Sequence, residues 1–343
     1  MPHTRLPWLW LLAAAVALLL AMLVGIAAGA AGIAPGAIAG ELLSLLPLGG
    51  ESPLGERQSA VLLQIRLPRV VLGAVVGGLL AIAGAGYQGA FRNPLADPYL
   101  LGAAGGAGLG ATLAIVYGSA LTLGSVRLIP VAAFVGAVVG VFGSYAIGSA
   151  AGRGATASLL LAGVAVSSFL SAAQTLIQQL RIEELQRIYA WILGGLGRGG
   201  WDDVVLIAPY AVVGVVVLLG CGRLLDLLAL GDEKSTSLGL NPMWVRLLVI
   251  AAASLATAAA VSVSGLIAFV GIVVPHIVRQ LVGSAYHRIL PVSLLAGATF
   301  MVLVDVVARL VVAPAELPLG VVTAFIGAPF FLAVLRATRH RAV

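Results

Sequence analysis

The sequence predicts an all-α polytopic membrane protein with about ten transmembrane helices, and three observations carry that prediction. Of 343 residues, 61% are hydrophobic and 9% are charged, against roughly 25% charged in an ordinary soluble domain, so there is too little polar surface for a water-facing fold. The apolar residues fall into long runs that, at about 20 residues per crossing, fill on the order of ten helices. The 44 glycines suit such helices, because small residues let backbones approach closely in lipid. A soluble enzyme, a disordered tail and a disulfide scaffold are excluded; the single cysteine, Cys221, cannot form an intrachain disulfide.

The first apolar run, 8–32, carries no charge over 25 residues. A signal-peptide core is only about 7–15 residues long, so this run reads as a retained helix. Further spans are expected near 67–87, 99–117, 128–151, 158–180, 203–221, 247–263, 266–282, 291–311 and 321–335. Ten spans put both termini on one side of the membrane. With the N-terminus inside, eleven Lys and Arg residues fall inside and eight outside, which by the positive-inside rule favours cytoplasmic termini. The basic residues are scattered between apolar runs, a pattern of loop charges rather than of a nucleic-acid surface.

The whole chain, 1–343, reads as a single transmembrane domain with three longer connections. An outer one, 33–66, carries Glu41, Glu51, Glu56 and Arg57. A second, 181–202, holds a short charged helix from Arg181 to Arg187. The longest inner loop, 222–246, is centred on a stretch from Leu228 to Gly239 that contains the only lysine, Lys234.

Gly84-x-Gly86-x-x-Gly89 matches the dinucleotide fingerprint by letter, but it ends a membrane helix rather than joining a strand to a helix, so close helix packing is the better account. Gly73-x-x-x-Gly77 and Gly136-x-x-x-Gly140 are packing signals of the same kind. A P-loop needs Gly-Lys-Ser/Thr after a glycine-rich turn, and Lys234 follows Asp232-Glu233 instead. Any ATP hydrolysis therefore belongs to another subunit. His3, His276, His287 and His340 lie far apart and have no metal-ligand spacing. No catalytic constellation and no metal site are expected; His276, after Pro275, suits a structural hydrogen bond.

Polar spacing is more informative. Ser167, Ser171, Gln174 and Gln178 recur at i, i+4, i+7 and i+11 on one helical face. Within lipid such a stripe faces either neighbouring helices or a water-filled translocation path. Asp305 and Arg309, also i,i+4, form either a structural ion pair or, through Arg309, a contact for an external partner.

Several segments together resemble one family. They are Arg66-Leu-Pro-Arg69, Gly84-Ala-Gly-Tyr-Gln-Gly89, Phe91-Arg-Asn-Pro-Leu-Ala-Asp-Pro98, Leu228-Ala-Leu-Gly231, Gly271-Ile-Val-Val-Pro-His-Ile277, Ala315-Glu-Leu-Pro-Leu-Gly320 and Gly327-Ala-Pro-Phe330. In consistent order from about residue 60 to the C-terminus, they resemble the FecCD permeases of type II ABC importers, which take up iron–siderophores, haem and vitamin B12. The resemblance implies a vitamin B12 importer permease-like fold in the bacterial cytoplasmic (inner) membrane. It also implies a second permease subunit, two cytoplasmic ATPase subunits that hold ATP-Mg, and an extracytoplasmic solute-binding protein. No cofactor is implied in this chain.

By position, Arg66, Arg69 and Arg309 match arginines that receive glutamates of the binding protein; planar guanidinium forks suit carboxylates. Anchoring by lipid phosphate is the alternative for Arg66 and Arg69. Asn93, Leu95 and Thr156 match cytoplasmic gate positions, with Ala157 where some relatives have serine; Asn93-Pro94 also reads as a turn. Leu228, Gly231, Asp232, Glu233 and Gly239 fall in the paired coupling helices that seat in the ATPase. Reversing Arg66 and Arg69 to Glu is expected to weaken docking while sparing folding. The competing reading is an ion-coupled secondary transporter, which would place ionisable residues near the midplane; here the charges cluster at span ends.

Overall fold

The computed structural model describes residues 7–29, 33–44, 52–118, 128–150, 156–197 and 199–339. His3, Gly32, Glu51 and His340 lie outside them, as do the side chains of Thr156 and Ala157. Every regular element among the described residues is helical. In chain order these are α1 (Pro7–Ala27), α2 (Pro35–Ser44), α3 (Glu56–Ala60), a π-helical turn (Val61–Arg66), α4 (Leu67–Phe91), α5 (Ala103–Tyr117), α6 (Leu128–Ala150) and α7 (Thr156–Leu180). After a 3-10 turn (Ile182–Glu184) come α8 (Leu185–Ile192), α9 (Trp201–Gly220), α10 (Gly222–Leu228), α11 (Asp232–Ser237), α12 (Pro242–Ser264), α13 (Val270–Val282), α14 (Tyr286–Leu310) and α15 (Leu319–Arg339).

Seven described helices are long and apolar enough to cross a membrane, and three shorter apolar ones, within α5, α13 and α15, occupy the other expected spans. The chain is a multi-pass membrane protein. Its centre is α4, packed against α14, α12, α13 and α9. The most apolar window of the continuous helix Glu56–Phe91 is 83% buried and that of α12 72%, against 17% for α1 and for the span within α7. Hydropathy alone does not separate these positions, because lipid and protein interior are equally apolar.

The glycine motifs do pack helices. A Cβ at Gly77 would collide with the Gly297 carbonyl of α14, one at Gly84 with the Gly271 carbonyl of α13, and one at Gly136 with the Gly106 carbonyl of α5. With no side chain between them, backbones meet directly, which is the packing that lipid-embedded helices favour.

Two spans start later than expected. Helix α13 begins at Val270 rather than near 266, because Gly265 (φ 69°) and Phe269 (φ 69°) interrupt the helical backbone. At 13 residues it is about 20 Å long, shorter than a bilayer core of about 30 Å. The interrupted backbone is tolerated because the protein itself supplies partners. Gly195 N donates to Ser264 O (2.8 Å), while Tyr99 Oη donates to Ile267 O (3.0 Å) and accepts from Ile267 N (3.0 Å). Helix α5 likewise starts at Ala103 rather than 99, after Gly102 at φ 86°.

Candidate functional site

Helix α4, 25 residues and about 37 Å long, has a charged cluster at each end. At its N-terminal end are Arg66 and Arg69, beside Arg309 near the end of α14. Arg66 is 6% exposed, and its Nη1 donates to Ile26 O (3.1 Å) and Ala27 O (3.3 Å). Arg309 donates to Ala28 O (2.6 Å) and Gly25 O (3.0 Å), and its Nε lies 3.0 Å from Asp305 Oδ2. The two arginines thus take up the final carbonyls of α1, which have no intrahelical partner and carry the negative end of the helix dipole. Arg69 donates to Asp305 Oδ1 (3.0 and 2.8 Å) and Oδ2 (3.2 Å), and to both carboxylate oxygens of Glu316 (2.8 and 2.9 Å). Asp305 is 2% exposed, whereas the Glu316 side chain is 47% exposed. The hydrogen bond from Arg69 holds the Glu316 carboxyl below its ordinary value.

Asp305 and Arg309 therefore do form an ion pair, within a wider cluster that also includes Arg69 and Glu316. Glu316 had no role in the sequence reading; its only signal was membership of the Ala315–Gly320 motif. The burial of Arg66 also bears on the expectation that Arg66→Glu spares folding. A glutamate there would set a buried carboxylate against carbonyl oxygens, so that reversal carries a folding cost.

At the other end of α4, Arg92 turns the chain in the left-handed region (φ 51°). It leads into Asn93, whose Oδ1 accepts from Leu95 N (2.9 Å), the expected turn; Leu95 is 44% exposed. Thr156 begins α7. The loop 222–246 folds into the paired short helices α10 and α11 and enters α12. Gly231, at φ 103°, makes the break between the pair, in a conformation unfavourable for residues with a Cβ, and Asp232 and Glu233 open α11 at the positive end of its dipole. Leu228 is buried, Gly239 (φ 84°) ends the segment, and Leu230 (54%) and Leu238 (60%) stand exposed on either side of α11.

Asp232 accepts from Arg246 through both oxygens (2.7 and 2.9 Å) and forms an ion pair with Arg92 (Nη2–Oδ1 3.0 Å), and Arg246 Nε also donates to Ala90 O (3.2 Å). The hydrogen bonds from Arg246 are the largest cause holding the Asp232 carboxyl below its ordinary value. Asp226 of α10 accepts from the backbone N–H of Tyr286 and pairs with His287 Nδ1 (2.5 Å), at the start of α14. None of these partners was legible from spacing.

The four-residue stripe on α7 divides. Gln174 and Gln178 are each 8% exposed, with Gln174 packed over Gly108 of α5, while Ser167 is half-buried and Ser171 is exposed. The exposed polar face of α7 is instead Ser168, Ser171, Thr175 and Gln179, at i, i+3, i+7 and i+11. Gln174 and Gln178 thus follow the first of the two expected alternatives, facing neighbouring helices. His276 hydrogen-bonds Gln280 (3.0 Å) and meets Phe330 edge-on.

Among the described residues the protein is a multi-pass helical bundle with an ionic cluster at each end of α4 and interrupted helices within. The chain belongs to the FecCD transport family, whose profile matches residues 14–337. It is 45% identical over 279 residues to the cobalamin import system permease protein BtuC of Halobacterium salinarum, covering 81% of this chain and 74% of that one. It is 39% identical over 291 residues to the hemin transport system permease protein HmuU of Yersinia pestis, covering 81% and 84%. A similar match, 39% over 286 residues and covering 83% and 84%, is to the Fe(3+)-citrate import system permease protein YfmD of Bacillus subtilis. Among solved structures, one described as a metal-chelate type ABC transporter in an inward-facing conformation superposes with TM-score 0.80 at 30% identity, covering 95% of this chain and 98% of that one.

Proposed function

We propose that this chain is the permease subunit of an ATP-driven importer that carries a metal chelate, an iron–siderophore, haem or vitamin B12, into the cytoplasm. The observation that carries the reading is the paired helices α10 and α11, with exposed Leu230 and Leu238 beyond the ends of the spans. In the FecCD resemblance this segment seats in an ATPase subunit that holds the ATP-Mg, and Leu230 and Leu238 are exposed where that subunit would cover them. A second permease copy lies against α7, whose exposed polar face lines the path between the two. A solute-binding protein docks at the arginine end, where its carboxylates exchange with those of Glu316 and Asp305 around Arg69. Asn93, Leu95 and Thr156 form the inner gate, and both termini are cytoplasmic.

Reconstitution of the permease with its ATPase and binding protein in proteoliposomes tests the reading. Uptake of a radiolabelled chelate should require ATP, the ATPase subunits and the binding protein together. Uptake driven by an ion gradient without the ATPase would instead establish a secondary transporter.

A further inference from the structure

The inner ionic cluster joins three parts of the chain that are separate in sequence. Asp232 is the first residue of α11, Arg92 follows the last residue of α4, and Arg246 lies on α12. Arg246 is well covered, its side chain 10% exposed, and it also holds the Ala90 carbonyl at the end of α4. Arg92 is 41% exposed and stands directly before Asn93, Pro94 and Leu95. Beside the cluster, Gly231 brings the backbone between α10 and α11 close to the Arg92 guanidinium. A rigid displacement of α11 would therefore pull first on Asp232, and through it on the turn that follows α4.

The geometry differs from the other grip on this segment. Asp226 holds α10 to one place, the start of α14, through the backbone N–H groups of Tyr286 and His287 and the His287 ring, so it fixes a position. Asp232 instead accepts from the Arg246 guanidinium of α12 through both oxygens and forms an ion pair with Arg92 directly after α4, so one carboxylate ties together α12, the start of α11 and the end of α4. The Arg246 pair is bidentate and therefore directional as well as strong, so Asp232 and α12 move together, and the ion pair to Arg92 ties the turn after α4 to that movement.

We propose that Asp232 is the positioning residue that transmits movement of the coupling helices to the inner gate, by clamping Arg92 and Arg246. The inference rests on the reading of α10 and α11 as the ATPase contact. It adds that the link to residues 93–95 is ionic and runs through one carboxylate.

The test uses the complete importer in proteoliposomes and reads chelate taken up per ATP hydrolysed. Asp232→Asn keeps the shape and loses the charge; the expected result is a fall in that ratio of about tenfold or more, with recovery of at least half in Asp232→Glu. Arg92→Gln, which removes the exposed arm and leaves the Arg246 pair intact, should lower the ratio in the same direction, and it decides the matter if the Asp232→Asn importer does not assemble. An unchanged ratio in Arg92→Gln, or in an assembled Asp232→Asn importer, overturns the inference. Failure of the unmodified permease to retain the ATPase on co-purification would overturn the underlying coupling reading instead, so the two failures are distinguishable.

Discussion

At the scale of single residues, burial decides what each charge does. Asp305 is 2% exposed and bonded by Arg69 and Arg309, whereas Glu316 shares Arg69 from an exposed position. Asp305→Asn leaves two covered guanidiniums short of a counter-charge, and a loss of about 3 kcal/mol is expected. Glu316→Gln should cost less than about 1 kcal/mol. Thermal melting in detergent measures both, and equal losses would mean that burial is not the deciding factor. The Glu316 contribution also depends on pH in a defined sense. Its folded-state pKa is depressed, so its stabilisation is present above the ordinary glutamate value of about 4.3 and is lost as pH falls through the folded value. The parent and Glu316→Gln should therefore differ in Tm at neutral pH and converge towards acid.

Among helices, the decisive contacts are backbone to backbone. Gly84 of α4 faces the carbonyl of Gly271 in α13, and no rotamer of a neighbour can yield the space. Gly84→Ala should destabilise by about 1–3 kcal/mol, since α4 or α13 must move. Gly143 of α6 meets nothing within 4 Å, so Gly143→Ala should be neutral or gain up to about 1 kcal/mol of helix propensity. Comparing the two melting temperatures separates a packing glycine from an incidental one, which the sequence motif does not do. The capping of α1 is also a matter between helices. Its last turn contains no basic residue of its own, and its carbonyls are met by Arg66 and Arg309 from elsewhere in the chain.

Across the whole molecule, α4 connects the two ionic clusters through the most buried part of the bundle, while α7 lies at the perimeter. A perimeter helix in lipid should expose apolar residues, and Phe169 and Leu176 do so at 73% and 62%. The adjoining exposed face with Ser168, Ser171, Thr175 and Gln179 is polar and needs water or a polar partner. Single cysteines at these four positions in the Cys221→Ser background should react with a membrane-impermeant maleimide in the assembled importer, and at least two should change rate when ATP is added. A cysteine at Phe169 should stay unreactive. Labelling at Phe169 with none on the polar face would move the path off this side of α7.

Membrane residence, the helical fold and the family were legible in the sequence. Hydropathy sums over a window, and family motifs are local strings, so both survive without knowledge of packing. The break at Gly231 and the start of α11 at Asp232 rest on equally local chemistry, since glycine and acidic residues act on their own backbone. The partners of the charges were not. Arg69 and Asp305 are 236 positions apart, and Asp232 meets Arg92 and Arg246 only because the end of α4 and the starts of α11 and α12 come together. Which polar face of α7 is exposed was likewise set by α5, because helical periodicity gives the shape of a stripe and not its direction. Those features depend on which helices become neighbours, and only the tertiary structure decided that.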